Sequence, residues 1–333
     1  MTKITIGLVT YNRPSLLKRA VKSILNQSYQ NFILYIGNDY VEKKVTFKSL
    51  GIKKNKKIKI FNYKKNRGER ENLNFLLSQS NTEWFSWLGD DDYIHKDFIK
   101  ILYEGILKYK NKKPVASYSN YSRAKLKNNK KDRIYNVFNK ENFLLGFTSK
   151  KIRMIGTFGL IKTKILKKID GIHKTGLSFK KNKIITNHFP YCDPLIPIML
   201  CNYGKIIWID EKLVYLNTDQ NSISAKTEDY NIYISAEKYV FKKLKKTLMN
   251  KNYFIKAEIK NQIISNMLSW FLNTRKEILQ RRNSLINMLN IIKIFLDSIS
   301  LFFLLPKKNF KILYMYLNSI LKVIIKSLTR RKF

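Results

Sequence analysis

Between residues 4 and 92, apolar β-branched runs alternate with helix-patterned stretches, and this alternation constrains the fold more than any other feature. Residues 4–10 read as a buried strand. Pro14 then suits a first helical turn, and Leu16, Leu17, Ala20, Val21, Ile24 and Leu25 recur at helical spacing. Further strands are predicted over 32–36, 57–62 and 84–88, with a helix around Leu73, Phe75, Leu76 and Leu77. Such alternation implies an α/β sheet whose ligands bind beyond the carboxyl ends of its strands. The polar tips Thr10–Arg13, Asp39 and Asp90–Asp92 all fall at such ends.

The 333 residues are 44% hydrophobic and 13% aromatic, enough for one sizeable domain with an appendage and too apolar for a disordered chain. The formal net charge of +42 attracts polyanions of every kind. The basic residues spread along the whole chain, and neither zinc-ligand spacing nor an RNP-type aromatic motif accompanies them, which excludes specific nucleic-acid binding. Two cysteines make no disulfide framework. The start enters a strand at once and lacks the apolar core of a signal peptide, so a cytoplasmic protein is expected.

Asp90-Asp91-Asp92 at the end of a buried strand repel one another unless cations are near. A hard divalent ion held there would neutralise charge developing on a departing diphosphate. An acidic turn that caps the next helix is the other reading of the same residues.

The opening Val9-Thr10-Tyr11-Asn12-Arg13, Asp39, Asn66-Arg67-Gly68 with Asn74, and Trp87-Leu88-Gly89-Asp90-Asp91-Asp92-Tyr93 form an ordered set. The set resembles the inverting family 2 glycosyltransferases of the GT-A fold, bacterial surface-polysaccharide type. That resemblance implies a mixed sheet flanked by helices over residues 1–227, with a donor half at 1–100 and an acceptor half at 101–227. It implies that Thr10, Tyr11, Asn12 and Arg13 line the nucleotide pocket and that Asp39 accepts from the uracil imide. Arg67 or Arg70 would reach the diphosphate, with Gly68, Asn74 and Asp90 on the donor side. Asp91 would ligate Mn²⁺ or Mg²⁺, and Asp92 would support that shell or cap the next helix. Many members carry an Asp where this chain has Gly89.

Inverting displacement needs a base for the acceptor hydroxyl, and the family places an Asp for it before a helix of the acceptor cleft. Asp193, in Tyr191-Cys192-Asp193-Pro194, takes that position, and an N-cap role is compatible with it. Gly156-Thr157-Phe158-Gly159 and Ile169-Asp170-Gly171 resemble segments supporting the acceptor cleft. The His that relatives often carry near Asp219-Gln220 is absent. The implied activity is metal-dependent transfer from a nucleotide-sugar, a UDP-sugar first, to a glycan or lipid-linked acceptor in surface-polysaccharide synthesis. A nucleotidyltransferase and a non-enzymatic polyanion binder are the rivals; the former lacks its glycine-rich phosphate loop at Thr10–Pro14.

Residues 111–140, rich in Lys and Asn, are expected to form an exposed connection. Residues 228–333 are expected to be a basic helical extension whose apolar faces meet an anionic membrane surface or a second copy of the chain. Polar and charged residues within 285–305 argue against a membrane span there. The protein is thus expected at the inner face of the plasma membrane.

Overall fold

The computed structural model describes residues 3–124, 133–148, 151–174, 179–180, 183–184, 192–217 and the helical positions 239, 240, 243 and 247. All lie within the compact unit Met1–Met249. The remainder of the extension expected at 228–333, the stretch 219–224 and His188 lie outside the described residues.

In chain order the strands are β1 (Ile4–Thr10), β2 (Phe32–Asn38), β3 (Ile58–Asn62), β4 (Trp84–Gly89), β5 (Tyr93–Ile94), β6 (Pro114–Ser122), β7 (Tyr135–Phe138), β8 (Gly159–Lys162), β9 (Phe179–Lys180), β10 (Lys183–Ile184) and β11 (Lys205–Tyr215). The helices are α1 (Pro14–Leu25), α2 (Phe47–Leu50), α3 (Glu69–Gln79), α4 (Phe98–Lys108), α5 (Lys140–Thr148), α6 (Thr163–Lys168) and α7 (Cys192–Leu200). Among the described residues, one mixed sheet runs β3-β2-β1-β4-β8-β6-β11-β5, with β7 also paired to β11, and β9 and β10 form a separate ribbon.

Every residue of β1 is buried, as a strand covered on both faces requires. Leu17, Ala20, Val21 and Ile24 of α1 cover one face, and Leu73, Leu76 and Leu77 of α3 are buried likewise. Fully buried side chains such as Leu8, Leu34, Ile36 and Leu76 each contribute about 1.5–3 kcal/mol. Strand register then sets the site. Val9 lies level with Gly37 of β2 and Gly89 of β4, all three strands parallel, so Thr10, Asp39 and Asp90 emerge at one edge. β8 joins the halves, antiparallel to both β4 and β6.

The exposed or mobile connection expected over 111–140 is overturned at 114–122 and 135–138, while 125–132 lie outside the described residues. Residues 114–122 form β6, a buried strand paired in parallel with β11, and 135–138 form β7. The inward positions include Ser117 and Ser119, which are buried yet read as polar, so no apolar alternation marks the strand. After α7 the chain forms one long strand, β11, whose pairing with β6 shifts register between Ile209 and Lys212 and between Lys212 and Val214. Among the described residues, no helix is long and apolar enough to cross a membrane.

Candidate active site at the strand tips

Asp39 follows β2 and ties two loops together. Its backbone N–H donates to the Thr10 carbonyl at 3.0 Å. Its carboxylate accepts from the N–H groups of Arg67 at 2.6 Å and Gly68 at 2.7 Å. Gly68 holds φ at 78°, a left-handed conformation that costs glycine little. Each carboxylate oxygen keeps a second lone pair, so Asp39 can still accept from a base. Beside it, Tyr11 is 53% exposed and meets Tyr40 edge-on, leaving an aromatic surface open to a planar ligand. Asn12 also adopts positive φ, at 51°, which Asn tolerates better than most residues.

The acidic turn is built into this edge. Asp90 is buried and accepts from the Thr10 hydroxyl at 2.6 Å. Arg13 donates through a single nitrogen, Nη1, to Asp90 Oδ1 at 3.4 Å and Asp91 Oδ2 at 3.0 Å. Asp92 Oδ1 accepts from the Asn217 N–H at 2.9 Å, which fastens the turn to the exit of β11. Arg19 donates to the Asp91 carbonyl, and its guanidinium lies over the stacked rings of Tyr93 and Tyr215. Burial pushes the Asp90 carboxyl up to about 6, against the Thr10 hydrogen bond. Burial and the neighbouring Asp91 push Asp92 up to about 8.

Asp193 stands in the first turn of α7 and faces the same cluster. Its Oδ1 accepts from the Thr157 hydroxyl at 2.7 Å, and the Thr157 backbone N–H also bonds it. Burial raises its pKa against those bonds. The charge on Asp193 in turn raises Asp92 and Glu69, so acceptor-side and donor-side carboxylates share one electrostatic environment. Glu69, the first residue of α3, is exposed, yet desolvation by surrounding protein is the largest influence on it. Both hold for a side chain lining a concavity. Its carboxyl rises to about 7, helped by Asp91, Asp90 and Asp193.

Not every expected donor residue joins this group. Asn74 spends both ends of its amide on Ile172, donating to its carbonyl at 2.9 Å and accepting from its N–H at 2.8 Å. Arg67 lays its guanidinium 4.5 Å from the Tyr63 ring centre and 4.4 Å from that of Phe75, and Arg70 pairs with Glu71. The arginine on the carboxylates of the acidic turn is Arg13, while Arg19 bonds the Asp91 backbone carbonyl. Glu69 and Thr157 went unassigned in the sequence. Glu69 follows the Asn66-Arg67-Gly68 segment directly, which is the signal that could have flagged it.

Among the described residues, no three His, Cys, Asp or Glu side chains group closely enough to hold a metal by themselves. Mg²⁺ and Mn²⁺ do not require that, since few protein carboxylates plus water and phosphate oxygens complete their shells. A Cβ on Gly89 would lie 2.9 Å from Asp91 Oδ1 and 3.2 Å from Asp92 Oδ2, so both oxygens turn toward the space that Gly89 leaves open. Those two carboxylates suit a hard divalent cation.

The sequence model of Glycosyl transferase family 2 matches residues 5–170, which hold the donor tips, the acidic turn and Thr157. Through them the chain belongs to glycosyl transferase family 2. An uncharacterized glycosyltransferase of Rickettsia conorii is 33% identical over 100 residues, 30% of this chain and 16% of that protein. A GalNAc(5)-diNAcBac-PP-undecaprenol beta-1,3-glucosyltransferase of Campylobacter jejuni is 34% identical over 97 residues, 28% of this chain and 30% of that protein. These matches therefore span well under half of the relatives' own lengths. The crystal structure of S. aureus TarS 1-349 in complex with UDP shares the fold at a TM-score of 0.60 and 14% identity, covering 99% of this chain and 92% of that one. The same protein in complex with UDP-GlcNAc aligns at a TM-score of 0.51 and 14% identity, covering 78% and 79%. The GT-A fold expected from the sequence is thus the fold observed.

Proposed function

We propose that the chain transfers a sugar with inversion from a UDP-sugar to a glycan or lipid-linked acceptor. The observation that carries this reading is the meeting, at one sheet edge, of the Asp39 loop, the acidic turn and Asp193. Solved relatives of the same fold bind UDP and UDP-GlcNAc, which supports a uridine donor. The Campylobacter jejuni relative, named for an undecaprenol-linked substrate, supports a lipid-linked acceptor in surface-polysaccharide synthesis.

In this reading Asp39 accepts from the uracil imide N–H, and Tyr11 offers its exposed ring to the base. Asp91 and Asp92 would hold Mn²⁺ or Mg²⁺, which supplies charge neutralisation to the leaving UDP diphosphate. Asp193 takes the proton of the attacking acceptor hydroxyl on its carboxylate, which the Thr157 hydroxyl holds through Oδ1. The acceptor oxygen attacks the anomeric carbon from the face opposite the diphosphate; the C–O bond to UDP breaks and the configuration inverts. A basic chain acting on a lipid-linked acceptor belongs at the inner face of an anionic membrane.

The test is UDP release and product linkage with a panel of UDP-sugars, Mn²⁺ and lipid-diphosphate glycan acceptors. Asp193→Asn is expected to bind UDP as the parent does and to lose transfer, and Asp91→Ala to lose metal-dependent UDP binding. Transfer by Asp193→Asn at the parent rate would remove the base from the scheme.

A further inference from the structure

We propose that Arg13 is a built-in counter-cation of the acidic turn, which a divalent metal must displace and which then takes the donor diphosphate. The inference rests on the metal-dependent reading above and extends it to how the ion enters.

The geometry is specific to Arg13. One nitrogen, Nη1, lies 3.4 Å from Asp90 Oδ1 and 3.0 Å from Asp91 Oδ2, bridging two carboxylates of one turn. A divalent ion on the Asp91 and Asp92 oxygens that face Gly89 would share the Asp91 carboxylate with the guanidinium, so the two cations compete for that one side chain. Two of the other carboxylate oxygens around the turn are committed elsewhere, Asp90 Oδ2 to Thr10 and Asp92 Oδ1 to the Asn217 N–H, while Asp91 Oδ1 and Asp92 Oδ2 face the space at Gly89. Asp91 is therefore the carboxylate that can be exchanged.

The two arginines at the turn divide the work. Arg19 grips the Asp91 backbone carbonyl and is wedged against Tyr93 and Tyr215, so it fixes the turn's path. Among the described residues the Arg13 guanidinium bonds only the Asp90 and Asp91 carboxylates, and 29% of the side chain is exposed, so it can swing away while the Arg13 carbonyl still accepts from the Leu17 N–H at the start of α1. It sits directly before Pro14, on the loop that also carries Tyr11. A released guanidinium there has a new partner ready, because its fork matches diphosphate oxygens. Metal entry and donor capture are thereby coupled: the ion frees the arginine that the donor needs. Without either ligand, Arg13 suppresses the repulsion among Asp90, Asp91 and Asp92.

The test compares the full chain with Arg13→Gln and Arg13→Lys, using Mn²⁺ binding read by loss of the free-ion electron paramagnetic resonance signal. In the absence of nucleotide, Arg13→Gln is expected to bind Mn²⁺ about fivefold more tightly than the parent, since no ion pair has to be broken first. Arg13→Lys, which keeps a charge but not the fork, is expected to fall between them, and it serves if the Gln variant misfolds. At saturating Mn²⁺, UDP is expected to bind Arg13→Gln about fivefold more weakly. A residue that merely lines the donor pocket would weaken UDP and leave metal affinity unchanged. Equal or weaker Mn²⁺ binding by folded Arg13→Gln overturns the exchange. Mn²⁺ binding by no variant, with UDP still bound, overturns the exchange and metal dependence while leaving the uridine donor in place; loss of UDP binding by the parent itself overturns the donor reading as well.

Discussion

The Thr157 hydroxyl donates to Asp193 Oδ1 at 2.7 Å, across a gap of 36 residues in sequence. The bond ties the segment before β8 to the first turn of α7 and holds the carboxylate that would receive the acceptor hydroxyl's proton. Because it stabilises the charged carboxylate, it opposes the burial that raises Asp193. Thr157→Val removes the hydroxyl at constant shape. The Asp193 pKa then rises further, so the acid limb of the rate profile moves to higher pH, and kcat at neutral pH falls by about tenfold or more. The donor KM is expected to stay put, since the hydroxyl bonds Asp193 and the one link to the donor half, the Trp87 N–H donating to the Thr157 carbonyl at 3.2 Å, is a backbone bond that Val keeps. A limb that stays in place, or moves down, would separate Thr157 from the base.

Asn74 is expected to matter for folding and not for the donor. Its amide bonds both backbone groups of Ile172, joining α3 to the turn after α6. Asn74→Ala leaves a buried N–H and carbonyl with lost partners, at a cost of about 1–3 kcal/mol. Chemical denaturation should show that loss while calorimetric UDP affinity stays within error of the parent. A selective loss of UDP affinity at unchanged stability would return Asn74 to the donor pocket.

The contrast between Asn74 and Asp39 shows where the sequence was legible. Strands β1, β2 and β4 were readable because their largely apolar runs are buried on both faces, and β3 because Ile58 and Ile60 alternate with Lys59; the acids at their tips followed from the fold. Strand β6 was not, since Ser117 and Ser119 face the interior without looking apolar. Short polar motifs also fix position without fixing direction: Asn74 follows Asn66-Arg67-Gly68 at family spacing, yet its helical phase turns it to Ile172. Glu69 was hidden for the opposite reason: an acid in a first helical turn is an ordinary helix-dipole partner, and only its place directly after Asn66-Arg67-Gly68 sets it apart.

The raised carboxyls make stability depend on pH in a defined direction. Asp92 rises from 3.8 to about 8, above its unfolded value, so the folded state holds a proton that the unfolded state releases. That contribution is fully present below about 4 and is lost as pH climbs through about 8. His95 and His173, both lowered from 6.5, are neutral in either state above that value and do not confuse the upper part of the window. The metal-free melting temperature should therefore fall between about pH 6.5 and 8.5, and Asp92→Asn should flatten the decline. Mn²⁺ should restore stability at the alkaline end, because ligands must be deprotonated to bind it. An equally steep decline in Asp92→Asn would assign the effect to other groups.

Gly89 and Gly156 make opposite predictions from the same kind of substitution. A Cβ at Gly156 would meet the Asp193 carbonyl oxygen at 1.8 Å, a backbone atom that cannot yield without moving α7. At Gly89 the nearest atoms are Asp91 Oδ1 and Asp92 Oδ2, the far ends of side chains that rotate cheaply. Gly89→Ala should consequently fold with a melting temperature close to the parent's, while Mn²⁺ affinity drops because the two oxygens are turned out of the space they share. Gly156→Ala should lose stability and transfer together. The discriminating measurement pairs thermal melting with Mn²⁺ titration on both variants. If Gly89→Ala keeps parental Mn²⁺ affinity, the oxygens facing Gly89 are not the ones that hold the ion.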